Sequence, residues 1–207
     1  MKFVMNFTDF FKRSLLWPAV LCAALAFAFV QSAQAEEATQ LKIATSMGDI
    51  GIEVYPDKAP KTVANFLEYV KAKHYEGSIF HRVIGSFMIQ GGGYDVRFKE
   101  KTMRAPVEHE GRAALSAGLK NQVGTLAMAR TSEPHSATAQ FFINVVDNAF
   151  LDPTAQQFGY TVFGKVISGM DVVEKIKATP TGAGGPFRSD VPKTPVIILS
   201  ISLEPSK

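Results

Sequence analysis

The run Phe80-His81-Arg82-Val83-Ile84-Gly85-Ser86-Phe87-Met88-Ile89-Gln90-Gly91-Gly92 constrains this chain more than any other. It reads as two short strands meeting at a Gly85-Ser86 turn, because β-branched and aromatic residues flank the turn formers. Strand alternation predicts Phe80, Arg82 and Ile84 on one face, and Met88 with Gln90 on one face beyond the turn. A guanidinium and an amide therefore stand among large apolar side chains. Burying a guanidinium is costly unless its fixed fork of donors is used. The ordinary use is a carboxylate in the core.

A second segment argues for a different use. In Gln140-Phe141-Phe142-Ile143, alternation puts Gln140 and Phe142 on one face and turns Phe141 and Ile143 toward a core. One face thus pairs an amide with an aromatic ring. Just upstream, Gly124-Thr125-Leu126-Ala127-Met128-Ala129-Arg130 reads as a strand ending in small residues, where backbone groups stay open to an approaching chain. Downstream lie Asp147-Asn148-Ala149-Phe150-Leu151-Asp152 and Phe158-Gly159-Tyr160-Thr161-Val162-Phe163-Gly164-Lys165-Val166.

The remaining patterns are those of a mainly β chain. Leu41 to Thr45 and Ile50 to Val54 alternate around Met47-Gly48-Asp49, which predicts a hairpin. Pro60 opens a helix whose Val63, Phe66, Leu67 and Val70 follow the i, i+3, i+4, i+7 spacing of a buried stripe. A shorter helix is predicted from Met170 to Lys177, with Asp171 near its positive end and Lys175 and Lys177 near its negative end. Val196 to Leu203 reads as the last strand. Tyr94 to Val123 reads as loop with one short strand, and Thr179 to Pro195, rich in Gly and Pro, as an irregular surface excursion. Many short strands with two helices point to a closed antiparallel barrel capped at its ends.

In order and spacing, these segments from about Leu41 to Leu203 resemble the cyclophilin family of peptidyl-prolyl cis-trans isomerases, and within it the exported bacterial members. The resemblance implies a closed eight-stranded antiparallel β-barrel capped by two α-helices, packed solid inside, with the ligand groove on its outer wall. It makes Arg82 the catalytic residue, donating to the prolyl nitrogen. Phe87, Met88, Phe142 and Leu151 form the proline pocket, with Phe150 at the rim and Tyr160 beside it. Gln90 binds the substrate backbone, Ala129 and Arg130 offer main-chain groups, and Gln140 orients Arg82 or the peptide. Since alternation from Met88 would turn Phe87 away, a bend is expected after Gly85-Ser86. Phe150 and Tyr160 stand where many eukaryotic members carry Trp and His, and losing the indole donor means that the resemblance does not extend to strong cyclosporin binding. The same groove could instead serve a non-catalytic X-Pro-binding chaperone or adaptor.

The first residues read as an export signal rather than part of the fold. Lys2, Lys12 and Arg13 precede an apolar run from Leu15 to Val30, and Ala33-Gln34-Ala35 offers a small-residue cleavage site. The expected division is a signal peptide over 1–35 and an isomerase domain over 36–207, placed in the periplasm or fully secreted. The run is about sixteen residues, short of the roughly twenty that span a bilayer. The only cysteine, Cys22, lies in this segment and follows Leu21 rather than the small residue a lipid-anchoring site needs. Removing 1–35 takes away three basic residues and one acidic residue, so the net charge falls from +3 to +1.

Several chemistries lack their residues. No basic block interleaved with aromatics suggests nucleic acid. His74, His81, His109 and His135 show no paired ligand spacing, so no metal or cofactor is expected. His81 should face away from Arg82 as a satisfied structural histidine. Gly91-Gly92-Gly93 lacks the Lys of a phosphate loop and is expected to allow a close backbone approach or a turn. The expected partners are proline-containing segments of exported proteins, met by a monomer that leaves the membrane after signal cleavage.

Overall fold

The protein is described by a computed structural model covering residues 38–204; the signal segment read over 1–35 lies outside the described residues. Ten strands run β1 (Thr39–Thr45), β2 (Gly48–Val54), β3 (Ser78–Ile84), β4 (Met88–Asp95), β5 (Thr125–Met128), β6 (Phe141–Asn144), β7 (Val162–Ser168), β8 (Thr181–Gly184), β9 (Phe187–Pro192) and β10 (Ile197–Leu203). Three helices join them: α1 (Pro60–Lys71), α2 (Gly111–Ser116) and α3 (Met170–Lys177). Eight strands close into a barrel in the order β1-β10-β3-β4-β6-β5-β7-β2, and β8 pairs with β9 in a separate hairpin. Every barrel pairing is antiparallel.

Alternation fills the barrel. Leu41 and Ile43 of β1 and Ile50, Ile52 and Val54 of β2 are fully buried, while Lys42 and Asp49 on the other face pair at 3.6 Å. Helix α1 presents Val63, Phe66 and Tyr69 inward. The Phe66 ring meets Tyr75, Phe141 and Phe163 at 5.3, 5.7 and 5.2 Å, closing one end with interlocked aromatics. Each such ring contributes about 1.5–3 kcal/mol by burial alone. The α1 N-terminus has no cap from its own segment; Glu110 accepts from the Lys61 and Thr62 amides at 3.1 and 2.8 Å instead. A carboxylate there satisfies orphan donors and opposes the helix dipole. Helix α3 inserts Val172, Val173 and Ile176 into the same core, and Lys175 pairs with Asp171 at 2.9 Å on its outer side.

The barrel and two capping helices agree with the sequence expectations, and the differences have physical causes. Helix α2 occupies a stretch read as loop. It spans only six residues and buries just Gly111 and Ala114, too short a stripe to register as a period. The excursion after Thr179 is ordered as the β8–β9 hairpin because Phe187 packs on Tyr94 and His81 at 5.1 and 5.3 Å. Alternation also fails between Phe80 and Arg82, which pair with the consecutive residues Gly91 and Gln90. This bulge inserts His81 as an extra residue and resets the side-chain parity. Phe80 therefore points into the core and does not share the face of Arg82.

Candidate active site

Cross-strand register assembles the site. Arg82 of β3 pairs with Gln90 of β4, Gln90 with Phe142 of β6, Phe142 with Ala127 of β5, and Ala127 with Val162 of β7. One row of side chains thus crosses five strands on the outer wall, at about 4.8 Å per step. Met88, Ala127, Phe142, Leu151 and Val162 form an apolar cluster separate from the barrel core, with Phe87 and Tyr160 packed against it. Met88, Phe142 and Leu151 of this cluster, with Phe87 and Tyr160, line a cavity of about 110 Å³ together with Arg82, Gln90, Ala129 and Arg130. Nine sequence-predicted residues meet there.

The remaining two lie beside it. Phe150, 64% exposed, stacks on Phe87 with ring centroids 5.6 Å apart, which makes a rim. Gln140 accepts a hydrogen bond from Gln90 Nε2 at 2.9 Å. It therefore holds Gln90, and no hydrogen bond joins it to Arg82. Gly93 makes room for that amide, since a Cβ at Gly93 would stand 2.5 Å from Gln140 Cδ. The expected bend is present: Phe87 closes a turn by donating its N–H to the Ile84 carbonyl at 2.9 Å, so strand parity does not govern it. The Ala129 N–H donates to the Gln140 carbonyl at 2.9 Å. Among the described residues, the main-chain groups left open at this edge are the Ala129 carbonyl and both polar groups of Arg130.

Arg82 is half-buried, with its guanidinium carbon 6.0 Å from the Phe87 ring centroid. Among the described residues no carboxylate lies within ion-pairing distance of it. Arg82 lines the cavity instead of pairing with a core acid. Arg130 is tied down: Nε and a terminal nitrogen donate to the Gly159 carbonyl at 2.9 and 2.8 Å, and the guanidinium lies 4.8 Å from the Tyr160 centroid.

His81 is 3% exposed and its Nδ1 has no hydrogen-bond partner, so it is not the satisfied histidine expected from alternation. Stacked on Phe187 and edge-on to Tyr94, it is held neutral by burial and then by the Arg82 charge, which together lower its pKa from 6.5 to about 4 despite the Ile79 carbonyl nearby.

Two groups of residues at the site escape sequence reasoning. Glu100, Thr131, Ser136 and Thr138 line a neighbouring recess of about 190 Å³ with Gln90 and Gln140; they come from loops without a period. Behind the pocket, Asn148 Nδ2 donates to the Phe87 carbonyl at 2.9 Å and to Asn144 Oδ1 at 2.7 Å. Asn144 in turn donates to Asn121 at 3.2 Å, and Asn121 to Asp152 at 2.9 Å. The signal was present: Asn148 lies between Phe142 and Phe150, too polar for a core position without partners. Asn148→Ala would leave Asn144 Oδ1 unpaired and the Phe87 turn with one donor fewer. A loss of about 1–3 kcal/mol in unfolding free energy is expected, measured by urea denaturation.

Known proteins match this arrangement along most of the chain. A family model described as "Cyclophilin type peptidyl-prolyl cis-trans isomerase/CLD" matches residues 40–203. A "Peptidyl-prolyl cis-trans isomerase" of Acinetobacter baylyi is 53% identical over 173 residues, covering 84% of this chain and 89% of that protein. "Peptidyl-prolyl cis-trans isomerase B" of Escherichia coli is 54% identical over 162 residues, covering 77% of this chain and 96% of that protein. A Cryptosporidium parvum cyclophilin crystallised in the presence of the dipeptide Ala-Pro superposes with a TM-score of 0.64 at 26% identity, covering 81% of this chain and 99% of that one. A groove wall built on one cross-strand row, and relatives alike over nearly their whole length, identify the chain as a member of the cyclophilin-type peptidyl-prolyl cis-trans isomerases.

Proposed function

We propose that the chain accelerates X-Pro isomerisation by gripping the proline ring in the cavity under Phe142 and donating from Arg82 to the prolyl nitrogen. The supporting observation is the Arg82 guanidinium, which no carboxylate pairs among the described residues, beside an apolar cavity. The planar amide presents a barrier of about 18–20 kcal/mol, and uncatalysed exchange takes roughly 10–100 s. At the twisted transition state the nitrogen loses conjugation and regains a lone pair. A donor aimed there acts only in the transition state, and such contacts accelerate. Gln90, braced by Gln140, holds the flanking backbone, while the open Ala129 and Arg130 main-chain groups pair with the peptide as an added strand would. The Ala-Pro dipeptide used with the Cryptosporidium parvum relative supports this substrate class.

The N-terminal pattern supports action on exported proteins, in the periplasm or beyond the cell, by a monomer whose groove is built from one chain. The purified 36–207 protein is expected to accelerate exchange in a short Ala-Pro peptide. Phe142→Ala, which empties the pocket floor, should raise KM by about tenfold or more, because burial of an apolar ring is worth about 1.5 kcal/mol at least. Peptide binding without any acceleration would instead favour an adaptor.

A further inference from the structure

Gly159 occupies a left-handed turn at φ 65°, and a Cβ there would stand 2.5 Å from both the Leu151 oxygen and the Pro153 nitrogen. Only glycine fits this turn. Its carbonyl lies one residue before Tyr160 and is met from two sides. The Arg130 fork donates from one, at 2.9 and 2.8 Å. On the other side, His109 Nε2 lies 3.2 Å away.

The imidazole is fixed at both nitrogens. Its Nδ1 accepts the Gly111 N–H at 3.2 Å, so the hydrogen of the neutral ring resides on Nε2 and points at the Gly159 oxygen. Gly111 is shaped for the ring, since a Cβ there would stand 2.4 Å from His109 Cε1. The side chains differ in kind. Arg130 is long and divides its donors between Gly159 and the Thr131 carbonyl at 2.8 Å, whereas the short imidazole is held at both nitrogens, by Gly111 and Gly159. From Gly159 the chain passes directly into the pocket: the Tyr160 N–H donates to the Leu151 carbonyl at 2.9 Å, and the Tyr160 ring stands edge-on to Phe142 at 5.7 Å.

We infer that His109 is a positioning residue of this isomerase: its Nε2–H anchors the Gly159 carbonyl and thereby sets Tyr160 and Leu151 at the width that grips a proline ring. It touches no substrate itself. The inference rests on the cavity being the proline pocket, and the test separates the two ideas.

Two substitutions divide the imidazole's roles. In His109→Asn the amide oxygen can replace Nδ1 as acceptor for Gly111, but the shorter side chain no longer reaches the Gly159 carbonyl, which keeps only its Arg130 donors. In His109→Gln the longer amide nitrogen can replace Nε2 as donor to Gly159. With a short Ala-Pro peptide, His109→Asn should raise KM about 3- to 10-fold, the range for one lost neutral hydrogen bond, with kcat near wild type. His109→Gln should stay within about twofold of wild-type KM. Wild-type KM in His109→Asn, or a loss in His109→Gln equal to that in His109→Asn, overturns the inference. Arg82→Ala in the same assay should lose kcat; if it does not, the reading of the cavity fails whatever His109 does.

Discussion

Arg82→Ala is expected to lower kcat about 10- to 150-fold while changing peptide affinity by no more than about threefold. The magnitude follows from one charge-assisted hydrogen bond, worth about 1.5–3 kcal/mol net, at about 1.36 kcal/mol per decade. The selectivity for kcat follows from when the bond exists. On the proposed mechanism the planar amide nitrogen offers no lone pair, so Arg82 would contribute little to ground-state binding, which would fall to Phe142, Met88 and Gln90. A fall in kcat with KM unchanged marks an interaction made in the transition state. Arg82→Lys keeps the charge but not the planar fork, and should recover only part of the rate. Arg82 does not act alone: a millionfold enhancement requires about 8 kcal/mol. The remainder is assigned to holding the peptide twisted and to moving its dipolar amide into the less polar cavity beside Phe87 and Phe142.

The second large effect concerns stability in acid. Burial between Tyr94 and Phe187, with the Arg82 charge adjacent, lowers the His81 pKa from 6.5 to about 4. In the unfolded chain the ring takes up a proton below pH 6.5, while the folded protein resists until about pH 4. Stability from the neutral ring is therefore complete above pH 6.5 and declines as pH falls toward 4, by about 3 kcal/mol in all. Half-buried His74 and His109, whose pKa values burial also lowers, act in the same direction. The informative quantity is thus a difference. His81→Phe places a non-titrating ring in the same aromatic slot; Nδ1 has no partner to lose, and the one polar contact given up is that with the Ile79 backbone. Its urea unfolding free energy should fall less than that of wild type between pH 6.5 and 4, by about 3 kcal/mol. Equal slopes for both proteins would mean that the ring is not held neutral.

Legibility in the sequence followed physical regularity. The α1 stripe and the alternation of β1 and β2 were plain because each buries one face against a single core. Phe142 and Gln140 were legible as a pair because β6 keeps strict parity. Alternation alone links Arg82 to Phe80, and the bulge at His81 breaks that link, leaving Arg82 in the row of Gln90 and Phe142. A bulge is set by the partner strand, where Gly91 admits the Phe80 side chain, with a Cβ there standing 3.0 Å from Phe80 Cδ1. No local pattern of β3 announces that. Helix α2 buries too short a stripe to show a period, and the order of the β8–β9 hairpin comes from a distant contact, Phe187 on His81. The resemblance supplied most pocket residues. The assignment of Gln140 to Gln90 rather than Arg82 needed the register of three strands.

The most direct test is the cis-trans exchange rate of an Ala-Pro bond inside the saturated complex, read by NMR exchange spectroscopy on the 36–207 protein and its Arg82→Ala variant. Saturation removes differences in affinity, so the rate reports only the barrier on the enzyme. On-enzyme exchange is expected to be about 10- to 150-fold slower in the variant. Equal on-enzyme rates in the two proteins would contradict the transition-state role of Arg82.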